Sequence, residues 1–252
     1  MRYFFEIGYK GTEFHGWQRQ NNAISVQEVV ENTLRTIFRT PIPITASGRT
    51  DTGVHCIQQY FHADFASKIK NIEYAQYRIN RLLPQSVTIR NIFPVEDTAH
   101  ARFDAENRYY EYVITTAKDP LLMGLAYPFF RPLDIKTMNE AAALLIGERD
   151  FQSFSKVKTD VNTFICTIFT AYWRVENDLL IFGIRGNRFL RGMVRALVGT
   201  LLEVGQKKLS VEEFEMIIQK KDRQNAGMAV PAEGLYLKEV NYPEGYFTVK
   251  NG

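Results

Sequence analysis

Apolar and polar positions alternate from the start of the chain: Tyr3, Phe5, Ile7 and Tyr9 occupy every second place, the period of a strand with one buried face. A turn-rich stretch from Gly11 to Asn22 follows. Ser25 with Glu28 three residues on predicts a capping box at a helix start, and Val26, Val29, Val30, Leu34, Ile37 and Phe38 continue it as a helical apolar stripe. The same reasoning predicts strands at about 42–46 and 56–65, a helix from Ile69 to Leu83, and a strand from Val87 to Val95.

The second half repeats this grammar. A strand at about 107–115 leads to a helix from Asp134 to Ile146, stopped by Gly147. Phe169–Val175 and Leu179–Arg185 read as a hairpin turning at Asn177-Asp178. A helix of about 188–204 closed by Gly205, a helix capped by Ser210 with Glu213, and a strand pair near Leu235–Val240 and Tyr246–Val249 complete the chain. Strand and helix alternate in two similar halves without sequence repetition, which predicts α/β (α+β) layers with mixed or mainly antiparallel sheets rather than a solenoid. No low-complexity linker separates the halves.

Composition narrows the class. A chain of 252 residues, 45% apolar and 23% charged, has room for two modest domains or one large one, with a sizeable core. No apolar run reaches the length of a membrane span, and Met1 leads straight into strand residues rather than a signal sequence, so the expected location is the cytoplasm. Cys56 and Cys166 are too few for a disulfide framework and read as buried thiols. His55, Cys56 and His62 lack further ligands at a recognisable spacing, so no metal site is expected.

The net charge of +3 says little by itself, but Arg185, Arg188, Arg191 and Arg195 fall within eleven residues and form a local basic surface. Arg188, Arg191 and Arg195 keep helical spacing, opposite Leu190, Met193, Val194, Leu197 and Leu201. Such a stripe suits either a solvated face or contacts with phosphates.

Candidate chemistry concentrates in Gly48-Arg49-Thr50-Asp51-Thr52-Gly53-Val54-His55. Glycines at 48 and 53 permit unusual backbone angles and close approach of a ligand, while Arg49 can keep Asp51 ionised and directed, as a carboxylate nucleophile requires. An Asx-turn capped by Asp51, with Arg49 as a surface ion pair, accounts for the same residues. Tyr109, Tyr110 and Tyr112 lie in one strand, Tyr110 and Tyr112 on a common face.

The stretch around Asp51 resembles the catalytic loop of TruA-type pseudouridine synthases, the tRNA pseudouridine synthase I family. The resemblance continues, in the family's order, through Gly11–Gln20, Ser25-Val26-Gln27, His100–Asp104, Arg108–Tyr112, Gly147–Phe151, Phe189–Arg195 and Pro231–Leu235. It implies two ferredoxin-like halves, residues 1–104 with the Asp loop and 105–252 completing a central catalytic cleft. It further implies Asp51 as nucleophile, Arg195 as its ion-pair partner and Tyr110 stacked on the target uracil with a hydroxyl available for proton transfer. Arg49 and Leu235 join the substrate site, with Leu235 on the apolar side of the base, a position that core packing explains equally well, and Arg188 and Arg191 near RNA phosphates. The implied substrate is uridine at positions 38, 39 and 40 in the tRNA anticodon arm, bound by a homodimer without cofactor or metal. Cys56 stands where the family commonly has alanine, and Cys166 where arginine is often expected.

Isomerising uridine breaks a glycosidic bond, rotates the base and joins carbon 5 to the ribose, with no external reactant. The absence of a phosphate-binding Gly-x-x-x-x-Gly-Lys loop, a dinucleotide fingerprint and metal-ligand spacing agrees with that. Two rival classes are a non-catalytic tRNA-folding chaperone and a metal-dependent RNA hydrolase using Asp51. An intact Asp51 motif speaks against the first and the lack of clustered carboxylates against the second.

Overall fold

The computed structural model describes residues 1–156 and 161–247. They fall into two units, Met1–Glu106 together with Leu237 onward, and Asn107–Tyr236.

The first unit begins with β1 (Arg2–Tyr9), followed by α1 (Val26–Phe38), β2 (Ile44–Ala46), β3 (His55–Asp64), α2 (Ile72–Leu82) and β4 (Val87–Val95). The strands lie in the order β4-β1-β3-β2 with every neighbour antiparallel, which is the β-α-β-β-α-β ferredoxin-like arrangement. β1 is central, and both its faces are buried: Phe5 and Ile7 on one, Phe4 on the other. Alternation predicts one buried face, and the second is covered from far along the chain. Tyr242, Tyr246 and Phe247 pack their rings 5.7–6.0 Å from that of Phe4.

Val26, Val30 and Leu34 bury the stripe of α1, and Ala75 and Ile79 that of α2. Asn80 ties α2 to β4 by donating to the Ile89 carbonyl and accepting from its N–H, both at 2.8 Å. Only the serine half of the capping box expected at Ser25 is present: Ser25 Oγ accepts the Glu28 N–H, while the Glu28 carboxylate turns to Arg19 at 3.6 Å instead of closing the box.

The second unit contains β5 (Asn107–Thr115), β6 (Tyr127–Pro128), α3 (Ile135–Ala143), β7 (Gly147–Asp150), β8 (Ile165–Glu176), β9 (Leu179–Gly186), α4 (Met193–Gly205) and α5 (Val211–Lys220). Its order is β5-β9-β8-β7, antiparallel throughout, with β6 parallel to β5. Asn177 and Asp178 both have positive φ, the requirement of the tight hairpin turn read from the sequence. Ser210 and Glu213 form the complete capping box of α5. A last strand, β10 (Leu235–Asn241), spans the boundary between the units.

Four elements depart from the sequence reading, the first being the short β6, where no strand is predicted. α4 begins at Met193, not at 188, because Gly192 before it adopts left-handed φ +72 and ends a turn. Arg188 and Arg191 therefore precede the helix, and the three arginines do not form a stripe on it. β7 follows α3 where only a stop at Gly147 was expected. Of the final strand expected at 246–249, Tyr246 and Phe247 form part of a turn, and 248–249 lie outside the described residues. No helix among the described residues is long and apolar enough to cross a membrane.

Candidate active site

The Asp51 loop leaves the sheet after β2 and returns at the start of β3. Its shape is set from beneath. Gln59 on β3 is fully buried, and its amide donates to the Gly48 carbonyl at 2.6 Å while accepting from the Tyr9 hydroxyl at 2.9 Å. Tyr9 Oη also lies 2.8 Å from Thr50 Oγ1. A chain of polar groups thus runs from β1 and β3 into the residues flanking Asp51, and burial leaves it no competing water.

The turn-rich segment after β1 holds the loop from the other side. The Thr50 carbonyl accepts the Trp17 N–H at 3.1 Å, and the Phe14 carbonyl accepts the Gly53 N–H at 3.3 Å. Gly16 has φ +88, and a Cβ there would lie 2.6 Å from the Thr50 oxygen. A Cβ on Gly11 would lie 2.0 Å from the Val54 oxygen. Backbone meets backbone at both points, which only glycine permits. Within the loop itself Gly53 has φ +79, but Gly48 does not enter the left-handed region and a Cβ there would meet nothing within 4 Å. The expectation that both glycines serve unusual angles holds for Gly53 alone.

Asp51 is half-buried in this frame, and Arg49 is exposed. His55 Nδ1 accepts the Gly11 N–H at 3.1 Å, and His62 Nδ1 accepts the Ala101 N–H at 3.1 Å. These two histidines therefore spend a ring nitrogen on the backbone. Cys56 is buried, with its sulfur 3.7 Å from the Ile7 carbonyl, and burial pushes its thiol well above the ordinary range.

Tyr110, Arg195 and Leu235 belong to the second unit. Tyr110 is half-buried on β5, with its ring edge-on to Phe189 at 5.1 Å. Tyr112 shares that face and is fully buried, its hydroxyl donating to the Pro231 carbonyl at 2.7 Å. Burial, and then Tyr127, push the Tyr112 phenol up, with only partial opposition from the Arg195 charge, so it remains a donor.

Arg195 Nε donates to the Val230 carbonyl at 2.6 Å, and the Val230 N–H bonds back to the Arg195 carbonyl at 3.2 Å. Gly234 presses on β5 so closely that a Cβ would lie 2.6 Å from the Val113 oxygen. The segment from Val230 to Gly234 is thereby bonded at one end to the first turn of α4 and packed at the other on the strand of Tyr110. Leu235 follows directly and is buried.

Tyr109 points to the opposite face. Its hydroxyl donates to Glu111 at 3.0 Å and lies 3.0 Å from that of Tyr172, while Glu111 pairs with Arg174 at 2.8 Å. The Arg185 guanidinium stacks 4.7 Å above the Tyr109 ring. Arg185 thus supports β5 instead of extending the basic surface. Arg188 is half-buried near Cys166, whose thiol burial pushes up to about 11 against the Arg188 charge. Arg191 is exposed, and its carbonyl accepts the Lys156 N–H at 3.0 Å.

The arrangement supplies a carboxylate on a loop braced from two sides and, in the other unit, a tyrosine ring, a cation and an apolar side chain carried by connected elements. Tyr9 and Gln59 escape motif-based reading of the site. Gly11 and Gly16 lie in a segment that the family resemblance includes.

Comparison with known proteins gives a consistent result. A family profile described as tRNA pseudouridine synthase matches residues 7–104 and 141–243. The chain is 46% identical over 250 residues to tRNA pseudouridine synthase A of Parabacteroides distasonis, covering 99% of both chains. It is 45% identical to tRNA pseudouridine synthase A of Bacteroides fragilis, covering 98% of both. For the protein of that name from Staphylococcus aureus (strain MRSA252), the identity is 37%, over 97% of this chain and 93% of the relative. The chain belongs to the tRNA pseudouridine synthases of the TruA type, isomerases that convert uridine to pseudouridine.

Proposed function

We propose that the protein isomerises uridines 38, 39 and 40 of the tRNA anticodon arm, with Asp51 as the nucleophile. The observation that carries this reading is the buried Gln59–Tyr9–Thr50 chain beneath a half-buried carboxylate, in a motif that resembles the family's catalytic loop. A nucleophile held in place does not pay for orientation during the reaction.

Asp51 attacks either carbon 6 of the uracil or the anomeric carbon. The bond from N1 to the ribose breaks, the base turns, carbon 5 bonds to the ribose, and the bond that Asp51 formed breaks to return the free carboxylate. Carbon 5 then loses its proton and N1 gains one, so product and substrate have the same atoms and no co-reactant is consumed. Arg195 pairs with Asp51 and stabilises its charge when the flipped nucleotide displaces water. Tyr110 replaces the stacking that the base loses, and its hydroxyl exchanges a proton with the base. Leu235 packs on the apolar side, Arg49 at the substrate site keeps Asp51 ionised and directed, and Arg188 and Arg191 hold phosphates. The roles follow chain order: the Asp loop from residues 1–104, and Tyr110, Arg195 and Leu235 from 105–252. A homodimer in the cytoplasm, free of metal, completes the proposal.

Incubating the purified protein with unmodified tRNA transcripts bearing uridine at 38, 39 or 40, followed by carbodiimide-dependent mapping, tests it. New stops are expected at those positions. Asp51→Asn is expected to lower turnover by at least about four orders of magnitude, with tRNA affinity retained. Isomerisation surviving in Asp51→Asn would remove Asp51 from the chemistry.

A further inference from the structure

A groove of about 460 Å³ opens in the first unit between the C-terminal end of α1, the loop after β3 and the outer side of α2. Its floor is aromatic, with Phe38 edge-on to Phe65 at 4.9 Å. Its rim is cationic: Lys68, Lys70 and Arg78 line it and are exposed. Tyr74 on the rim and Tyr77 beside it leave 59% and 61% of their surface in water. The Arg78 guanidinium lies 6.0 Å from the Tyr74 ring, one helical turn away.

Acids do little to cancel this charge. Asp64, at the end of β3, is held by two Arg2 hydrogen bonds of 2.8 Å, leaving Glu73 as the exposed carboxylate in the first turn of α2. Cations beside exposed tyrosine rings match a nucleic-acid backbone: the cations neutralise phosphates and the rings accept sugars or unstacked bases. The groove is also remote from the Asp51 loop. β3 begins beside that loop at His55 and runs ten residues to Asp64 next to the groove, so the two sites lie toward opposite ends of the strand, at most roughly 30 Å apart at the rise of an extended strand.

We infer that this groove is a second tRNA-binding surface, which grips the phosphodiester backbone outside the anticodon arm. The inference rests on tRNA as substrate and on the Asp51 loop as the reaction centre. An anticodon arm seated at Asp51 occupies only part of a folded tRNA, and a backbone contact at this separation reads the shape of the remainder without reading its bases. The groove would therefore favour whole tRNA over an isolated stem-loop and leave the choice of uridine to the reaction centre.

The test measures binding of an unmodified whole-tRNA transcript and of an anticodon stem-loop transcript to the wild type and to the Lys70→Ala/Arg78→Ala double variant, across a salt series. The variant is expected to lose about tenfold in affinity for whole tRNA, and the dependence of log affinity on log salt to become shallower by about one to two. Stem-loop affinity is expected to stay unchanged, and the Lys70→Arg/Arg78→Lys variant to restore most of the loss. Equal weakening toward both RNAs, or unchanged affinity for whole tRNA, overturns the inference. Pseudouridine mapping of the wild type separates the two readings: product absent from 38–40 while the whole-tRNA difference stands would sink the assignment of the reaction and leave the groove in place.

Discussion

Gln59 is an uncharged polar residue with no surface in water, and each end of its amide has a defined task under the Asp51 loop. Gln59→Leu keeps much of the volume but strands the Gly48 carbonyl and removes an acceptor from Tyr9. Leaving buried polar groups without partners costs about 1–3 kcal/mol. Urea unfolding should show that loss, and single-turnover assays at saturating tRNA should show a slower chemical step with little change in affinity. Equal chemistry in the variant and wild type would mean that the brace holds the fold without positioning Asp51. Motif recognition singles out Asp51 as the candidate because the residues of its motif are consecutive. The brace was hidden because Tyr9 and Gln59 lie in separate strands, where each reads as an ordinary strand residue. Gly48 shows the converse: its place in the motif suggests a conformational need that its backbone does not have.

At the scale of elements, α4 shows how far periodicity carries. Its apolar residues identify a helix, and the arginines at 188, 191 and 195 continue the helical spacing backwards past its true start. Spacing cannot register the left-handed turn at Gly192, since glycine occurs inside helices as well as before them. The short β7 was missed because four residues are too few to display a period. The expected cap at Ser210 forms as a full box because Glu213 reaches back to the Ser210 N–H, whereas Ser25 keeps only its half because Glu28 pairs with Arg19.

Long-range packing around α4 supplies a further prediction. A Cβ on Gly199 would lie 1.8 Å from the Met228 carbonyl oxygen, and Thr200 Oγ1 accepts the Gly227 N–H at 3.0 Å. The segment resting on α4 here continues to Val230, the partner of Arg195, and on to Leu235. Gly199→Ala should therefore destabilise by about 1–3 kcal/mol in urea titrations. It should also reduce turnover at temperatures where the variant stays folded, because the displacement reaches the groups around Arg195.

At the scale of the whole molecule, acid should act through His62. Burial first, and then the Arg2 and His100 charges, push its pKa down from 6.5 to about 4, against the opposing pull of Asp64 and Asp104. The unfolded chain takes up this proton below about pH 6.5, whereas the folded protein refuses it until about pH 4. Stability is thus fullest above pH 6.5, falls as pH drops through that window and levels near its lower end, with a contribution of at most about 3 kcal/mol. Urea midpoints measured across the window should show a shallower fall for His62→Gln than for the wild type; parallel curves would exclude His62 as the source.

The same region bears on how the molecule is made. Tyr242 and Tyr246 donate to the Ala101 carbonyl and the Asp104 carboxylate, both at 2.5 Å, while Phe247 stacks 5.0 Å from Tyr60. These residues cover one face of a sheet whose β1–β4 strands are all translated before residue 96. On the ribosome, that face waits uncovered while the whole second unit is synthesised. The first half of the chain is thus the part in greatest need of protection from aggregation during translation, although its own strands and helices are already complete.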